Sequence, residues 1–157
     1  SGRVAEDTCA VRNVNAAKSA GMQVGLYFYS IATNIFQAME EADIAVNVAN
    51  KCGGVSLPIY FDMEDNSVAS LSRQDKTAIA NAFIDRVHSY GYNAGFYSYL
   101  YWMKDQMDMN GLRSDSVWVA QYNNTCTYTG KYDFWQYTSQ GSVPGISGNV
   151  DMNKRIR

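Results

Sequence analysis

Helix-like segments alternate with short apolar, aromatic runs along almost the whole chain, and that alternation leaves few folds open. Asp7 is placed to cap a helix reaching about Ala20, with Gly21 as its stop. Val24-Gly25-Leu26-Tyr27-Phe28-Tyr29 then reads as a strand. Thr33 or Asn34 can cap a second helix to about Lys51, ended by Gly53-Gly54. Its stripe of Ile35, Ala38, Met39, Ala42, Val46 and Ala49 recurs at helical spacing. Leu57 to Glu64 is a strand that begins apolar and ends acidic. Ser72 with Asp75 forms a capping-box pattern opening a helix to about Tyr90, with Ile79, Phe83 and Val87 inward and Gly91 as the stop. Ala94 to Tyr97 is a short strand, and a further helix is expected over about 100–107. Val117–Tyr122, Phe134–Tyr137 and Gly148–Asp151 complete the series as strands.

This order predicts the α/β class, with parallel strands joined by helical crossovers. The last two strands lack helices long enough to cross over, so the end of the chain is expected to be irregular. Six strands are two short of the eight in a closed (β/α) barrel. Because the chain opens directly into a helix, the two are expected to be missing from its front. The 157 residues suit one domain, 1–157, without linker or repeat.

Charge and composition exclude some functions. Thirteen Lys and Arg against fifteen Asp and Glu leave no basic excess to neutralise phosphates, so nucleic acid is not an expected partner. No apolar run approaches the roughly 20 residues of a membrane span. The three cysteines, Cys9, Cys52 and Cys126, have no metal-like spacing. One disulfide with a spare thiol and a partner cysteine elsewhere both remain open. The chain begins Ser1-Gly2 rather than with Met, so the lack of a leader says little about compartment.

The chemistry is concentrated in Asp62-Met63-Glu64-Asp65. Side chains at i and i+2 of a strand share a face, with Cα atoms roughly 6–7 Å apart, so Asp62 and Glu64 point the same way. They fall at the C-terminal end of their strand, where α/β barrels carry active sites. Two carboxylates on one face repel when both are ionised, which raises one pKa and creates a proton donor near neutrality. Glycoside hydrolysis needs such a donor beside an ionised group. An acidic strand end that merely begins a turn is the bland alternative, and a cation held by Asp62, Glu64 and Asp65 is a third reading. No histidine cluster supports a metal. His88, the sole histidine, is expected to face solvent at a helix C-terminus, so no Ser-His or Cys-His nucleophile can be assembled.

The other strand ends repeat one theme. Tyr27 and Tyr29, Tyr97 and Ser98, Gln121 and Tyr122, Gln136 and Tyr137, and Asp151 are all polar or aromatic groups able to reach a sugar. Among 12 Tyr and 3 Trp, rings with a polar handle suit a ligand having both C–H faces and hydroxyl edges. Tyr60, on the carboxylate strand, joins Tyr29, Tyr97, Gln121 and Gln136 as a candidate sugar contact. Strand parity allows Trp118 and Trp135 either core or cleft positions.

VGLYFYS, PIYFDMED, AGFYS, VWVAQY, DFWQYTSQG and NVDMN occur in that order, and together they resemble the lysozymes of glycoside hydrolase family 25, the Chalaropsis-type muramidases, from about Asn13 to Asn153. The resemblance implies an irregular TIM-like (β/α) barrel that cleaves the β-1,4 bond between N-acetylmuramic acid and N-acetylglucosamine in peptidoglycan, acting at the cell wall as a secreted enzyme or phage endolysin. It matches Glu64 to the family's general acid, Asp62 to its Asp-x-Glu partner and Asp151 to its late aspartate. Tyr29, Tyr97 and Gln136 match positions lining the sugar groove. No cofactor or metal is implied.

One departure stands out. The family's opening Asp-Val-Ser strand and the strand after it are not found, and Ser1-Gly2-Arg3 reads as the remainder of the second. The expectation is an incomplete barrel with exposed edges and one active-site carboxylate fewer, completed by a missing N-terminal segment or a second chain. Direct nucleophiles sit roughly 5–5.5 Å from the acid and inverting pairs roughly 6.5–9.5 Å. A same-strand pair tends to the wider spacing. Asp62 is therefore expected to orient the substrate's 2-acetamido group, or else to place a water. A glycan-binding pseudoenzyme that keeps the groove is the alternative.

Overall fold

A computed structural model describes residues 5–157; the opening Ser1-Gly2-Arg3 lies outside the described residues. The elements run α1 (Ala10–Ser19), β1 (Leu26–Tyr29), α2 (Ile35–Lys51), β2 (Ile59–Asp62), α3 (Arg73–Ser89), β3 (Ala94–Tyr99), β4 (Ser116–Ala120), β5 (Phe134–Gly141) and β6 (Val150–Arg155). Short 3-10 turns lie at Asn66–Val68 and Met109–Gly111. The helix expected over 100–107 is instead centred on a π-helical turn, Trp102–Gln106.

Local chemistry sets most helix ends. Asn34 Oδ1 accepts from Gln37 N at 3.1 Å and caps α2. Ser72 Oγ accepts from Asp75 N and donates to Asp75 Oδ2, so the box opening α3 is reciprocal. Gly21 and Gly91 follow α1 and α3 with φ of 78° and 81°, a region that disfavours side chains. Asp7 differs from expectation. Its Oδ1 accepts from Cys9 N in a turn just before the helix, and Cys9 holds the cap position without a side-chain bond.

The strands lie side by side in chain order, β1 to β5 parallel and β6 antiparallel to β5. Helices α2 and α3 are the crossovers that parallel pairing requires. The long loop between β4 and β5 and the return of β6 make the expected irregular end. The sheet curls into a half-barrel. Tyr27 on β1 and Trp118 on β4 have ring centroids 6.5 Å apart, whereas three strand spacings in a flat sheet span about 14 Å. At the foot of the sheet Arg155 Nη1, on β6, donates to Gln23 Oε1, just before β1, at 2.9 Å. The two edges expected to stand apart are thus bridged at that end. Among the described residues no strand pairs with the outer edge of β1.

Alternation within each strand divides the residues between two faces. Ile59, Phe61, Phe96, Val119 and Trp135 are buried against α2 and α3 in the main core. Ala38, Ala42, Ala45 and Ala49 let α2 lie close to α3, and the Phe61 and Phe83 rings meet at 4.8 Å. The predicted stripe departs at Ile35, which is 43 % exposed. Glu41 is buried on α2, accepting from Ser30 Oγ at 2.6 Å and Ile31 N at 3.2 Å, and so braces the β1–α2 connection. Cys9, Cys52 and Cys126 are all free. No helix of the described residues is long and apolar enough to cross a membrane.

Candidate active site

Strand register builds the site in rows. Tyr29, Asp62, Tyr97 and Trp118 are register partners across β1 to β4 and share the concave face. One row lower lie Tyr27, Tyr60, Gly95 and Ser116. A pocket of about 200 Å³ opens above them, lined by Tyr27, Tyr29, Asp62, Glu64, Tyr97, Trp118, Gln136 and Asp151. A larger groove of about 540 Å³ runs along the other side of β1 toward α1 and α2 and shares Tyr27 and Tyr29, but neither Asp62 nor Glu64 reaches it.

Six of the eight residues singled out from sequence therefore meet in one pocket: Asp62, Glu64, Asp151, Tyr29, Tyr97 and Gln136. Tyr60 and Gln121 do not line it. Tyr60 is buried one row down, where its hydroxyl pairs with Ser116 Oγ at 2.8 Å and its ring meets Trp118 and Phe134 edge-on. Side-chain-free Gly95 gives that ring its place. Gln121 closes the β4–β5 loop instead, bonding Thr127 through both amide atoms.

Burial dominates the electrostatics. Asp62 is 4 % exposed, and its carboxyl is pushed up to about 8, by desolvation first and the Glu64 charge second. Glu64 is raised as well, by desolvation and then by Asp151 and Asp65. Like-charge repulsion, as expected, acts on both, and burial adds the larger share. Asp62 Oδ1 and Glu64 Oε2 are both buried with no hydrogen-bond partner. Buried polar atoms are normally paired, so two such oxygens in one pocket mark a place for a ligand. Asp65 turns away, accepting from Ser67 N at 2.8 Å and Tyr29 OH at 2.9 Å, and is lowered by those bonds. The three-acid cation set is not assembled, and the described residues contain no group of His, Cys, Asp or Glu able to hold a metal. His88 lies far from the carboxylates in sequence and topology, its Nε2 2.7 Å from Asp115 Oδ2, which also accepts from Ala94 N at the start of β3.

The walls are held by polar side chains. Gln136 Oε1 accepts from Tyr97 OH at 3.0 Å and Tyr122 OH at 2.9 Å, joining β3, β5 and the loop after β4. Trp118 Nε1 donates to Asn153 Oδ1 at 2.9 Å, while Asn153 Nδ2 reaches Asp151 O at 3.4 Å. Trp118 thus belongs to the cleft and Trp135 to the core, its Nε1 donating to Gln121 O. Tyr27, one of the strand ends able to reach a sugar, and Trp118, whose face strand parity left open, complete the lining; placing Trp118 needed the register.

This fold recurs in known proteins. The chain is similar to an autolytic lysozyme of Clostridium acetobutylicum, 26 % identical over 145 residues that cover 89 % of this chain and 41 % of that protein. It superposes on the modular autolysin LytC of Streptococcus pneumoniae, solved with a synthetic peptidoglycan ligand, with a TM-score of 0.84 and 26 % identity over 95 % of this chain and 37 % of that one. The catalytic domain of endolysin ply40 from bacteriophage P40 of Listeria monocytogenes gives 0.82 and 27 %, covering 97 % and 76 %. The chain spans less than half the length of the lysozyme and of the autolysin. Residues 1–146 match the family described as Glycosyl hydrolases family 25, and with six carboxylate, tyrosine and glutamine positions gathered in one pocket, the chain belongs to that family.

Proposed function

We propose that this chain carries the catalytic site of a muramidase that hydrolyses the β-1,4 bond between N-acetylmuramic acid and N-acetylglucosamine in peptidoglycan, and that it acts at the cell wall. The observation that carries the reading is the pair of buried, unpartnered carboxylate oxygens on Asp62 and Glu64, facing a pocket shared with Asp151. Its relatives, named lysozyme, autolysin and endolysin, favour the same chemistry.

Burial keeps a proton on Asp62 at neutral pH, its carboxyl being pushed up to about 8. A bound sugar places its 2-acetamido N–H against Asp62, and a donor to a carboxylate favours the ionised form. The proton then resides on Glu64. Glu64 gives it to the glycosidic oxygen as the C1–O bond breaks, while the acetamido oxygen bonds to C1. Water next adds at C1, releasing the acetamido oxygen and returning a proton to Glu64. Asp151 contributes charge at the same mouth. Tyr29, Tyr97 and Gln136 bind the sugar hydroxyls. No step requires a metal or cofactor.

The test is clearing of purified bacterial cell walls by the chain beside Glu64→Gln. The variant is expected to lose at least about 100-fold, the usual share of a general acid. Clearing by Glu64→Gln at the parent rate would remove Glu64 from its role. Walls bound but not cleared by the parent would favour the glycan-binding alternative. Inversion at C1 in the product would exclude the acetamido route.

A further inference from the structure

Glu64 must aim into the pocket, yet it lies two residues beyond the end of β2. The last sheet bond on that side is Met63 N to Tyr97 O, 3.1 Å. The next peptide unit joins the Met63 carbonyl to the Glu64 N–H. A side chain holds its carbonyl: Ser98 Oγ donates to Met63 O at 2.6 Å. Ser98 follows Phe96 by two residues on β3, so it faces the helix layer, and it is 0 % exposed. It does not reach a sugar, as the polar strand ends were expected to.

We propose that Ser98 is a positioning residue for the general acid, fixing the Met63–Glu64 peptide plane and with it the direction of the Glu64 side chain. The proposal rests on the muramidase reading above. On one side Met63 is packed in the core at 1 % exposure, so its side chain cannot move. On the other, Asp65 is tied to Tyr29 OH and Ser67 N. Between these anchors lie the 63–64 and 64–65 peptides, and Ser98 holds the carbonyl of the first. Without the Ser98 hydroxyl the Met63 carbonyl becomes an unpaired buried acceptor, a costly state. Rotation of the peptide toward another donor relieves it and swings Glu64. Small displacements of a reacting group are expensive: about 1 Å can cost 10²-fold in rate.

The experiment compares Ser98→Ala with the parent and with Ser116→Ala. The control also loses one buried hydroxyl bond, that to Tyr60, but at the foot of the sheet. Two measurements are made: steady-state kinetics (kcat and KM) on soluble peptidoglycan fragments, and the ionisation midpoint of Glu64 by carbon-detected NMR titration. Ser98→Ala is expected to lower kcat about tenfold with KM within about twofold. The Glu64 midpoint, raised chiefly by burial, is expected to fall toward 4.5 as the side chain turns to water. Ser116→Ala is expected to leave both near the parent. A folded Ser98→Ala with parent kcat and parent midpoint overturns the proposal, as does an equal kcat loss in Ser116→Ala. If the parent itself cleaves nothing, the muramidase reading fails, and the NMR titration alone decides whether Ser98 positions Glu64.

Discussion

Replacing Asp62 by Asn should stabilise this protein at neutral pH and flatten its dependence on pH. Asp62 is nearly sealed from water, and its carboxyl is raised from 3.8 to about 8. A group raised in the folded state contributes its full stability below the unfolded value and loses it as pH climbs toward the folded one. Between about 4 and 8 the unfolded chain releases the Asp62 proton while the folded chain holds it. Each pH unit in that window costs about 1.4 kcal/mol. Roughly three units separate 3.8 from neutrality, so the parent forfeits about 4 kcal/mol by pH 7. An amide has no charge to hide and does not incur this loss. Glu64, raised too, tilts both proteins the same way, so the readout is their difference. Asp65 is lowered, so its contribution is lost only as pH falls through the acid range and stays outside this window. Urea denaturation at pH 5, 6, 7 and 8 should show the parent weakening with pH, and Asp62→Asn gaining on it at each step. Parent stability that is flat or rising over this range, or a variant that runs parallel, would refute the burial argument.

Two further outcomes follow from the same geometry. As an acid, Glu64 must hold its proton in the substrate complex, so kcat should fall as pH rises through its raised midpoint; Asp151→Asn removes one cause of that elevation and should move the falling limb to lower pH, and an unmoved limb would separate Asp151 from Glu64. Phe61→Ala should cost about 3–5 kcal/mol in thermal or urea unfolding, because the ring is fully buried against Phe83, and a loss under about 1 kcal/mol would mean that this core collapses around the gap.

The nearness of Asp62 and Glu64 was legible because it is local. Strand parity needs only two residues of chain, and the caps at Asn34 and Ser72 need only three. The order of the strands followed from helical crossovers, which leave parallel neighbours little choice. The family motifs carried Asp151, Tyr29, Tyr97 and Gln136 to the pocket that Asp62 and Glu64 share.

Depth and burial were decided by the tertiary structure alone. Tyr60 and Tyr97 look equivalent in sequence, but register sets Tyr97 beside Asp62 and drops Tyr60 a row beneath, onto Gly95 and Ser116. Trp118 and Trp135 lie within strands of the same kind, and opposite parity relative to the curl sends one to the cleft and the other to the core. Glu41, a carboxylate outside the apolar stripe of α2, is buried. Ser98 reads as a strand end and holds a carbonyl under the helices. In each case the partner lies ten or more residues away, so its place depends on how distant segments pair and how far the sheet curls. Burial by those segments is also what raises Asp62 and Glu64. The sequence determined which groups could do chemistry, and only packing decided which of them left water.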